Sequence, residues 1–259
     1  MNAFFFGEPQ RPLYGCFHPA PPALERDIAV VIVPPFGQES IRCHRTLRLL
    51  GDRLAKSGLG CLRFDHYGSG HSAGEDVDVR VPTAIDDIRL AAAEARERAS
   101  TDRIALVGVR LGATLSLLYG ARVEPADYLV LWDTVVRGSD HLHELAATHE
   151  RLTGRLAPLG EGGGVCELIG FDFSHALIDD ITRIDVTQLP ARPARAALLL
   201  DGGRSDDGKF LGGILDRSGV DLTRQLASDP AVWDRDAEKH VVATGAINAI
   251  DKWLSEVTE

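Results

Sequence analysis

Residues 103–121 read RIALVGVRLGATLSLLYGA, and this stretch decides the fold. A short apolar run at 104–107 leads into it, and a run of small, helix-favouring residues at 113–121 leads out. Two glycines four residues apart bracket the junction. The pattern predicts a buried strand, a tight turn and a helix. Arg110 stands at the point of that turn, so the chemistry of a guanidinium there is the question that the sequence raises.

The same alternation of strand and helix patterns continues on both sides of this stretch. Residues 13–20 alternate like an edge strand. Further apolar runs, typical of strands buried on both faces, lie at 28–33, 61–64, 127–136 and 196–203. Helical patterns lie at 41–56, 81–100 and 241–257, the last with Ala246, Ile250 and Trp253 toward the core. Strands that alternate with helices predict an α/β fold with a mostly parallel sheet and right-handed crossovers.

The segment 137–194 separates two of these predicted strands. It is mixed in character, contains the glycine cluster GEGGGV at 160–165, and is too long for a plain crossover loop. We interpret it as a lid or cap inserted over the carboxyl ends of the strands, where open α/β sheets bind their ligands. The predicted core is then formed by residues 1–136 and 195–259.

Composition and charge exclude several classes of protein. The chain has 259 residues, with 28 Lys and Arg against 38 Asp and Glu, a formal charge of −10. Nucleic acid is therefore not an expected partner, because its binding requires a basic surface. No apolar run approaches the length of a membrane span, and the start MNAFFFGEPQ lacks the basic leader of a signal peptide. Scattered cysteines without a C-x-x-C pair favour reduced thiols and a cytoplasmic location: Cys16, Cys43, Cys61 and Cys166.

Several short motifs occur in an order that resembles the α/β-hydrolase superfamily. VVIVPPFGQE (30–39) follows a long strand, RFDHYGSGHSAGE (63–75) resembles the glycine turn Asp-x-x-Gly-x-Gly-x-Ser-x-Gly, and VGVRLGA (107–113) lies at the nucleophile elbow. LLLDGGRSDD (198–207) resembles the strand and turn that deliver the catalytic acid, and His240 precedes the last helix, where the catalytic histidine often falls. The resemblance covers nearly the whole chain and implies the α/β-hydrolase fold.

A closer resemblance is to the exosortase A system-associated hydrolases of the serine-aminopeptidase-like branch. The motifs that carry it are the elbow at 108–113, LWDTVVRG at 131–138 and ELIGFDFSHAL at 167–177. Two departures from the superfamily pattern bear on function. Arg110 stands where the elbow serine is expected, and prolines at 34–35 occupy the start of the oxyanion turn, where histidine is common.

Arg110 cannot act as a nucleophile or general base, because a guanidinium keeps its proton at any physiological pH. It can hold a planar anion through its fork of N–H groups. In one interpretation it binds a substrate carboxylate or phosphate. In the other it pairs inside the protein with Asp133, Asp206 or Glu39, since a buried guanidinium requires a partner. The two interpretations are compatible if a substrate replaces the internal partner.

Other residues at the same edge of the sheet are candidates for contact with a substrate. The Leu111 amide, at the start of a helix, and an amide from Phe36 or Gly37 are predicted to form an anion or oxyanion site. His66 and Tyr67, at the end of a strand, are further candidates for substrate binding.

For proton transfer, the sequence offers two aspartates and one histidine. Asp206 is the better match to the superfamily acid and Asp133 the second candidate, with a turn or cap as the alternative role for either. His240 is the predicted catalytic histidine, with an exposed first-turn position as its alternative. His141 and His143 are two residues apart on a predicted helix and do not converge, so no metal site and no cofactor are expected.

Three classes of function remain open: a serine-independent enzyme, a non-catalytic binding protein, and a scaffold. We favour an atypical hydrolase-fold protein that lacks the serine nucleophile and acts in a biosynthetic pathway. Its expected partner is a small anionic acyl or peptidyl substrate, handled by serine-independent hydrolysis or proton transfer. The alternative is a pseudoenzyme that uses the same pocket for binding. The sequence leaves a homodimer open.

Overall fold

A computed structural model describes residues 1–157, 159, 165–187, 189–203, 206–227, 229–234 and 241–259. Its centre is an eight-stranded sheet in the order β1-β2-β4-β3-β5-β6-β9-β10. The strands of this sheet are β1 (Asn2–Glu8), β2 (Arg11–His18), β3 (Ala29–Val33), β4 (Gly60–Phe64), β5 (Ile104–Val109), β6 (Ala126–Trp132), β9 (Ala194–Asp201) and β10 (Asp221–Leu226). From β4 to β10 every neighbouring pair is parallel, whereas β2 is antiparallel to both β1 and β4.

Helices cover both faces of the sheet, which gives the α/β layering expected from the sequence. The helices are α1 (Gly37–Lys56), α2 (Val81–Ala99), α3 (Leu111–Arg122), α4 (Gly138–Thr153), α5 (His175–Thr182), α6 (Asp207–Arg217) and α7 (Thr244–Val257). One apolar core lies between the sheet and α2 and α3, and a second lies between the sheet and α1 and α7. Ala246, Ile250 and Trp253 on α7 are buried in the second core, as the helical pattern predicted.

The strand–turn–helix prediction at residues 103–121 is confirmed. β5 ends at Val109, Arg110 forms the turn, and α3 begins at Leu111. The flanking glycines are required by close backbone approach. A Cβ on Gly108 would overlap the backbone of α3, and a Cβ on Gly112 would overlap the carbonyl oxygens of Val33 and Pro34. The absence of these two side chains therefore lets α3 start directly against the end of β3.

Some elements differ from the expectation. The strand at residues 13–20 was expected at the sheet edge, but β2 pairs on both sides, and β1 is the edge strand. The alternation of polar and apolar residues predicted an edge strand, but β1 pairs with β2 along the edge that would otherwise be open. The first helix begins at Gly37, four residues before the predicted start.

The segment predicted as a lid contains its own secondary structure between β6 and β9. It consists of α4, a short antiparallel pair β7 (Val165–Leu168) and β8 (Phe171–Ser174), and α5. The ring carbons of Phe171 and Phe173 lie about 3.4–3.5 Å from the position of a Cβ on Gly37. β8 thus lies against the loop that follows β3.

The four cysteines are buried, and none is in a disulfide. Among the described residues, no helix combines the length and the apolar character needed to cross a bilayer.

Candidate functional site

The elbow holds Arg110 in a backbone conformation that is rare for a residue with a side chain. Its φ is 54° and its ψ is −124°. The Arg110 amide donates a hydrogen bond of 2.9 Å to the Trp132 carbonyl, and its carbonyl accepts from the Ala113 amide at 3.0 Å. Backbone strain of this kind costs on the order of 1–3 kcal/mol and persists where the surrounding structure enforces it. The elbow geometry therefore does not depend on a serine.

The Arg110 guanidinium is buried and held by carboxylates from two different elements. Its Nε donates to Glu39 Oε1 of α1 at 3.0 Å, and its Nη2 donates to the Glu144 carboxylate of α4. The side chains of Arg110 and Glu39 are 8% and 7% exposed, whereas Glu144 is 49% exposed. The guanidinium carbon also lies 5.5 Å from the centre of the Trp233 ring, within the range of a cation–π contact. The predicted internal pair with Glu39 is therefore present.

The electrostatics of this cluster fix its protonation states. Burial disfavours the charged Arg110, but Glu39 and Glu144 outweigh it and raise the Arg110 pKa above its usual value. Burial and the neighbouring Arg110 charge lower the pKa of His141 to about 3, against the opposing effect of Glu144. Burial, helped by Glu39, raises the pKa of the Cys43 thiol. At neutral pH the cluster thus contains a permanent cation, a neutral imidazole and an unreactive thiol.

A cavity of about 340 Å³, which we name the elbow cavity, opens beside Arg110. Its wall carries apolar side chains and an excess of carboxylates over guanidinium groups. The residues that line it include Arg110, Asp133, Val135, Val136, Arg137, Asp140, His141, Glu144, Asp207 and Leu211. Arg137 lies 4.0 Å from Asp140 and 3.9 Å from Asp207, so both cations of the wall have carboxylate neighbours.

The two predicted acids lie in different environments. Asp133 directly follows β6 and borders the elbow cavity together with Arg110. Its Oδ1 accepts a hydrogen bond of 2.9 Å from the Gly202 amide, and its φ of 45° is again unusual for a residue with a side chain. Asp206 lies at the start of α6, is 91% exposed, pairs with Lys209 at 2.9 Å and borders a different cavity. The catalytic role of either residue stays a prediction.

The amides predicted for the oxyanion site lie at the starts of two helices. Leu111 begins α3 and is buried, and Gly37 begins α1 with Phe36 immediately before it. Gly112 brings the first turn of α3 against the carbonyl of Pro34, so the two helix starts are neighbours. Gly37, however, borders a second cavity, whose lining includes neither Leu111 nor Arg110. A shared anion site at these amides stays a prediction.

His66 and Tyr67 lie away from the elbow cavity. His66 is buried between Phe36 and Phe64, with its Nδ1 3.3 Å from Asp87 Oδ2, and it borders the second cavity. The Tyr67 amide also donates to Asp87, and its ring packs against Gly74 of the glycine turn. The structure thus places His66 at a cavity and uses Tyr67 in packing.

His240, the predicted catalytic histidine, lies outside the described residues. Sequence reasoning also missed Glu144 and His141 as neighbours of Arg110, whose Nη2 lies 3.4 Å from His141 Nδ1. The three-residue spacing of His141 and Glu144 predicts that both lie on the same face of one helix. That this face packs against Arg110 depends on tertiary structure, which the spacing does not reveal. Across the described ranges, no three His, Cys, Asp or Glu side chains cluster closely enough to hold a metal ion.

Solved structures with this fold are α/β hydrolases. Est1E from Butyrivibrio proteoclasticus, solved with ferulic acid bound, is similar over 98% of both chains, with a TM-score of 0.71 and 16% identity. An esterase from Pyrococcus furiosus matches 100% of this chain and 91% of its own, with a TM-score of 0.64 and 13% identity. A serine hydrolase without a lid from Xanthomonas campestris matches 99% and 94%, with a TM-score of 0.60 and 16% identity. The fold is therefore the α/β-hydrolase fold.

The family follows from the sequence. The model of the family described as serine aminopeptidase, S33, matches residues 25–171, more than half of the chain, and these residues include the elbow. This chain belongs to that family. No curated protein sequence is detectably similar to it.

Proposed function

We propose that this chain is a pseudoenzyme of the S33 family that binds a small acyl or peptidyl molecule in the elbow cavity without forming a covalent intermediate. One observation carries the proposal: the elbow position holds a buried guanidinium, clamped by Glu39 and Glu144. A guanidinium that keeps its proton cannot attack a carbonyl carbon. The acyl-enzyme route through the elbow is therefore closed.

The lining of the elbow cavity supports a ligand with both an apolar and a polar part. Val135, Val136 and Leu211 offer apolar contact, and the volume of about 340 Å³ lies in the range of small-molecule sites. An anionic group on the ligand would reach Arg110 by replacing Glu144, the half-exposed partner, while Glu39 stays in place. The small carboxylic acid bound to Est1E fits this ligand class.

The wider setting of the proposal comes from the sequence. Segment 137–194 acts as the lid over this cavity, and the ligand belongs to a biosynthetic pathway in the cytoplasm. Support for the lid comes from α4, which delivers Glu144 to the elbow. Support for the compartment comes from four buried cysteines without a disulfide.

A second candidate function, serine-independent proton transfer, is favoured by Asp133. This residue and Arg110 both have positive φ angles without being glycine, and both border the elbow cavity. Strained backbone of this kind clusters at functional sites. In this version Asp133 accepts a proton from a ligand or water, and Arg110 stabilises the developing anion.

Fluorophosphonate labelling tests the absence of a nucleophile. We expect no covalent adduct on the intact protein by mass spectrometry, because the elbow offers no hydroxyl group. A serine hydrolase treated in parallel is the positive control. Stoichiometric labelling that maps to a serine of this chain, such as Ser72, would show that the nucleophile lies elsewhere and would overturn the proposal.

An Asp133→Asn variant distinguishes the two candidate functions, binding without catalysis and proton transfer by Asp133. The pseudoenzyme proposal predicts that small esters and peptides are turned over no faster than in buffer, by wild type and variant alike. Turnover by the wild type that Asp133→Asn abolishes would establish the second candidate function instead.

A further inference from the structure

The second cavity, of about 350 Å³, borders the loop after β3, and two arginines are part of its lining. We name it the cationic cavity. Its cationic and histidine side chains are His44, Arg48, Arg63, His66 and His71. Pro35, Ile41, Phe64 and Phe171 supply apolar surface, and Asp65 is its acidic residue among the described lining. The permanent cations among these side chains are Arg48 and Arg63, against the carboxylate of Asp65, on a chain with a formal charge of −10.

Arg63 is positioned by two consecutive hydrogen bonds, which link it to His18 and His18 to Asp52. Its Nε donates to His18 Nε2 at 3.0 Å, and His18 Nδ1 lies 2.8 Å from Asp52 Oδ1. His18 is buried, and burial together with the Arg63 charge lowers its pKa. A neutral His18 that donates to Asp52 and accepts from Arg63 fits both contacts. The guanidinium is thereby oriented without a carboxylate of its own.

The two guanidinium groups of this cavity form no ion pair with a carboxylate among the described residues. Within the described part of the chain, no carboxylate lies within 4.0 Å of a side-chain nitrogen of Arg48 or Arg63, and Arg63 Nη2 contacts the Met1 sulfur at 3.7 Å. Asp65 closes the glycine turn, where its Oδ2 accepts from the His71 amide at 3.0 Å. Burial and the Arg63 charge lower the pKa of His44, as expected where cations lie close together.

Two further features of the cationic cavity favour a bound polar group: His66 and the first turn of α1. His66, 1% exposed, borders the cavity, and its Nε2 has no hydrogen-bond partner among the described residues. Buried polar atoms are nearly always satisfied, by protein, water or ligand. The first turn of α1, through Gly37 and Ser40, also borders the cavity and adds the positive end of a 20-residue helix.

We propose that the cationic cavity is a separate binding site for a small organic anion, whose carboxylate or phosphate group is held by Arg48 and Arg63. The apolar part of the ligand packs against Ile41 and Phe171. Arg63 contributes a guanidinium that is free of carboxylate contacts within the described residues, which is the arrangement that recognises carboxylate and phosphate. The site does not include Arg110, although Gly37 and His66, which the sequence predicts as substrate contacts, border it. Its test does not depend on the proposed function of the elbow cavity.

Isothermal titration calorimetry with two probes, inorganic phosphate and benzoate, tests this site. We expect saturable binding of at least one probe to the wild type with one site per chain. The preferred probe tells whether the natural ligand carries a phosphate or a carboxylate. Arg48→Glu should weaken that binding at least tenfold, because it places a like charge beside the anion.

Arg45→Glu is the matched control, because Arg45 is exposed on the same helix but does not border the cavity. It carries the same change in net charge and should alter the dissociation constant less than threefold. Arg63→Lys keeps the charge but loses the fork, and it should weaken binding while the unliganded Tm stays near that of the wild type. Absence of saturable binding to either probe, or equal weakening by Arg45→Glu and Arg48→Glu, would overturn the proposal.

Discussion

Arg110 and Arg63 are two guanidinium groups near the carboxyl ends of parallel strands, and they have opposite surroundings. Arg110 is buried and contacts the carboxylates of Glu39 and Glu144. Arg63 is half-buried and is held by His18, and among the described residues no carboxylate lies within 4.0 Å of its side-chain nitrogens. The comparison shows that an arginine at a ligand-binding edge does not by itself mark an anion site. Whether such an arginine is available to an anionic ligand depends on whether a carboxylate of the protein already contacts it.

The same comparison separates stability from binding. A buried ion pair contributes little net stability relative to an apolar pair, but its disruption is costly, because one charge is left behind in a medium of low polarity. An exposed or half-exposed cation without a partner is solvated by water, and its removal costs little. Substitutions at Arg110 should therefore act mainly on folding, and substitutions at Arg48 mainly on binding.

The largest effect is expected from Arg110→Met, which retains most of the side-chain bulk and removes the charge. It leaves the Glu39 carboxylate, 7% exposed, without its guanidinium partner. The free energy of unfolding should fall by about 3–5 kcal/mol, measured by urea denaturation. Arg137→Met, at an exposed arginine that also borders the elbow cavity, should cost less than about 1 kcal/mol. Equal losses in the two variants would contradict the comparison.

The next effect in size concerns His141 and acid. Its pKa is lowered to about 3 in the folded protein, below the value of about 6.5 in the unfolded chain, so the unfolded state binds the additional proton. The stability contributed by neutral His141 is present above pH 6.5 and is lost as the pH falls toward 3. The loss between pH 7 and pH 5 should be about 2 kcal/mol.

The control for this prediction is His141→Gln, which has no titrating group at that position. Urea denaturation at pH 7 and pH 5 should show a smaller acid-induced loss in the variant than in the wild type, by about 2 kcal/mol. The two groups that face His141, Arg110 and Glu144, are present in both proteins. Identical pH dependence would show that the pKa of His141 is the same in the folded protein as in the unfolded chain.

A smaller effect is expected at Glu144, the half-exposed partner of Arg110. Glu144→Gln keeps a hydrogen-bond acceptor for the guanidinium and removes a charge that is 49% exposed. The free energy of unfolding should fall by less than about 1 kcal/mol, and by less than in Glu39→Gln. A loss at Glu144 as large as that at Glu39 would mean that α4 is fixed to the elbow and that a ligand cannot take the place of Glu144.

The smallest expected change is in catalysis by Arg110→Ser. A serine requires a base within hydrogen-bond reach. His141 is a poor base at neutral pH, because burial, the main cause of its lowered pKa, persists in this variant even though the Arg110 charge is removed. Hydrolysis of p-nitrophenyl acetate, followed by absorbance, should stay at the wild-type level. Activity that disappears on further substitution of Asp206 or His240 would instead show that these residues still form an intact relay.

The sequence was sufficient for the elbow and for the layered fold. Apolar runs and helical periods are local, so β5, α3 and the parallel sheet were predictable from them. β10 was not predictable, because its residues are largely exposed and give no apolar run. β1 was missed for the same reason, because its residues are largely exposed. β7 and β8 have four residues each and are too short to give a clear pattern.

The candidate site was predictable only in part. A guanidinium in a buried turn demands a partner, and Glu39 was among those expected. That Arg110 pairs with Glu39 and not with Asp206 depends on how α1 packs against α3. No local sequence pattern predicts that packing. Glu144 reaches Arg110 through the docking of an inserted helix, and Arg63 owes its orientation to His18 on a neighbouring strand. Both contacts join residues that are distant in sequence, so neither contact could be predicted from a local pattern.

A double-mutant cycle between Arg110 and Glu39 tests most directly whether Arg110 is an internally neutralised cation. Urea denaturation would be measured for the wild type, Arg110→Met, Glu39→Leu and the double variant. Removal of both charges leaves neither one buried alone, so the double variant should be more stable than the sum of the single losses predicts, by about 2 kcal/mol or more. Losses that add to within about 0.5 kcal/mol would contradict the pairing and would return Arg110 to the role of a ligand-binding residue.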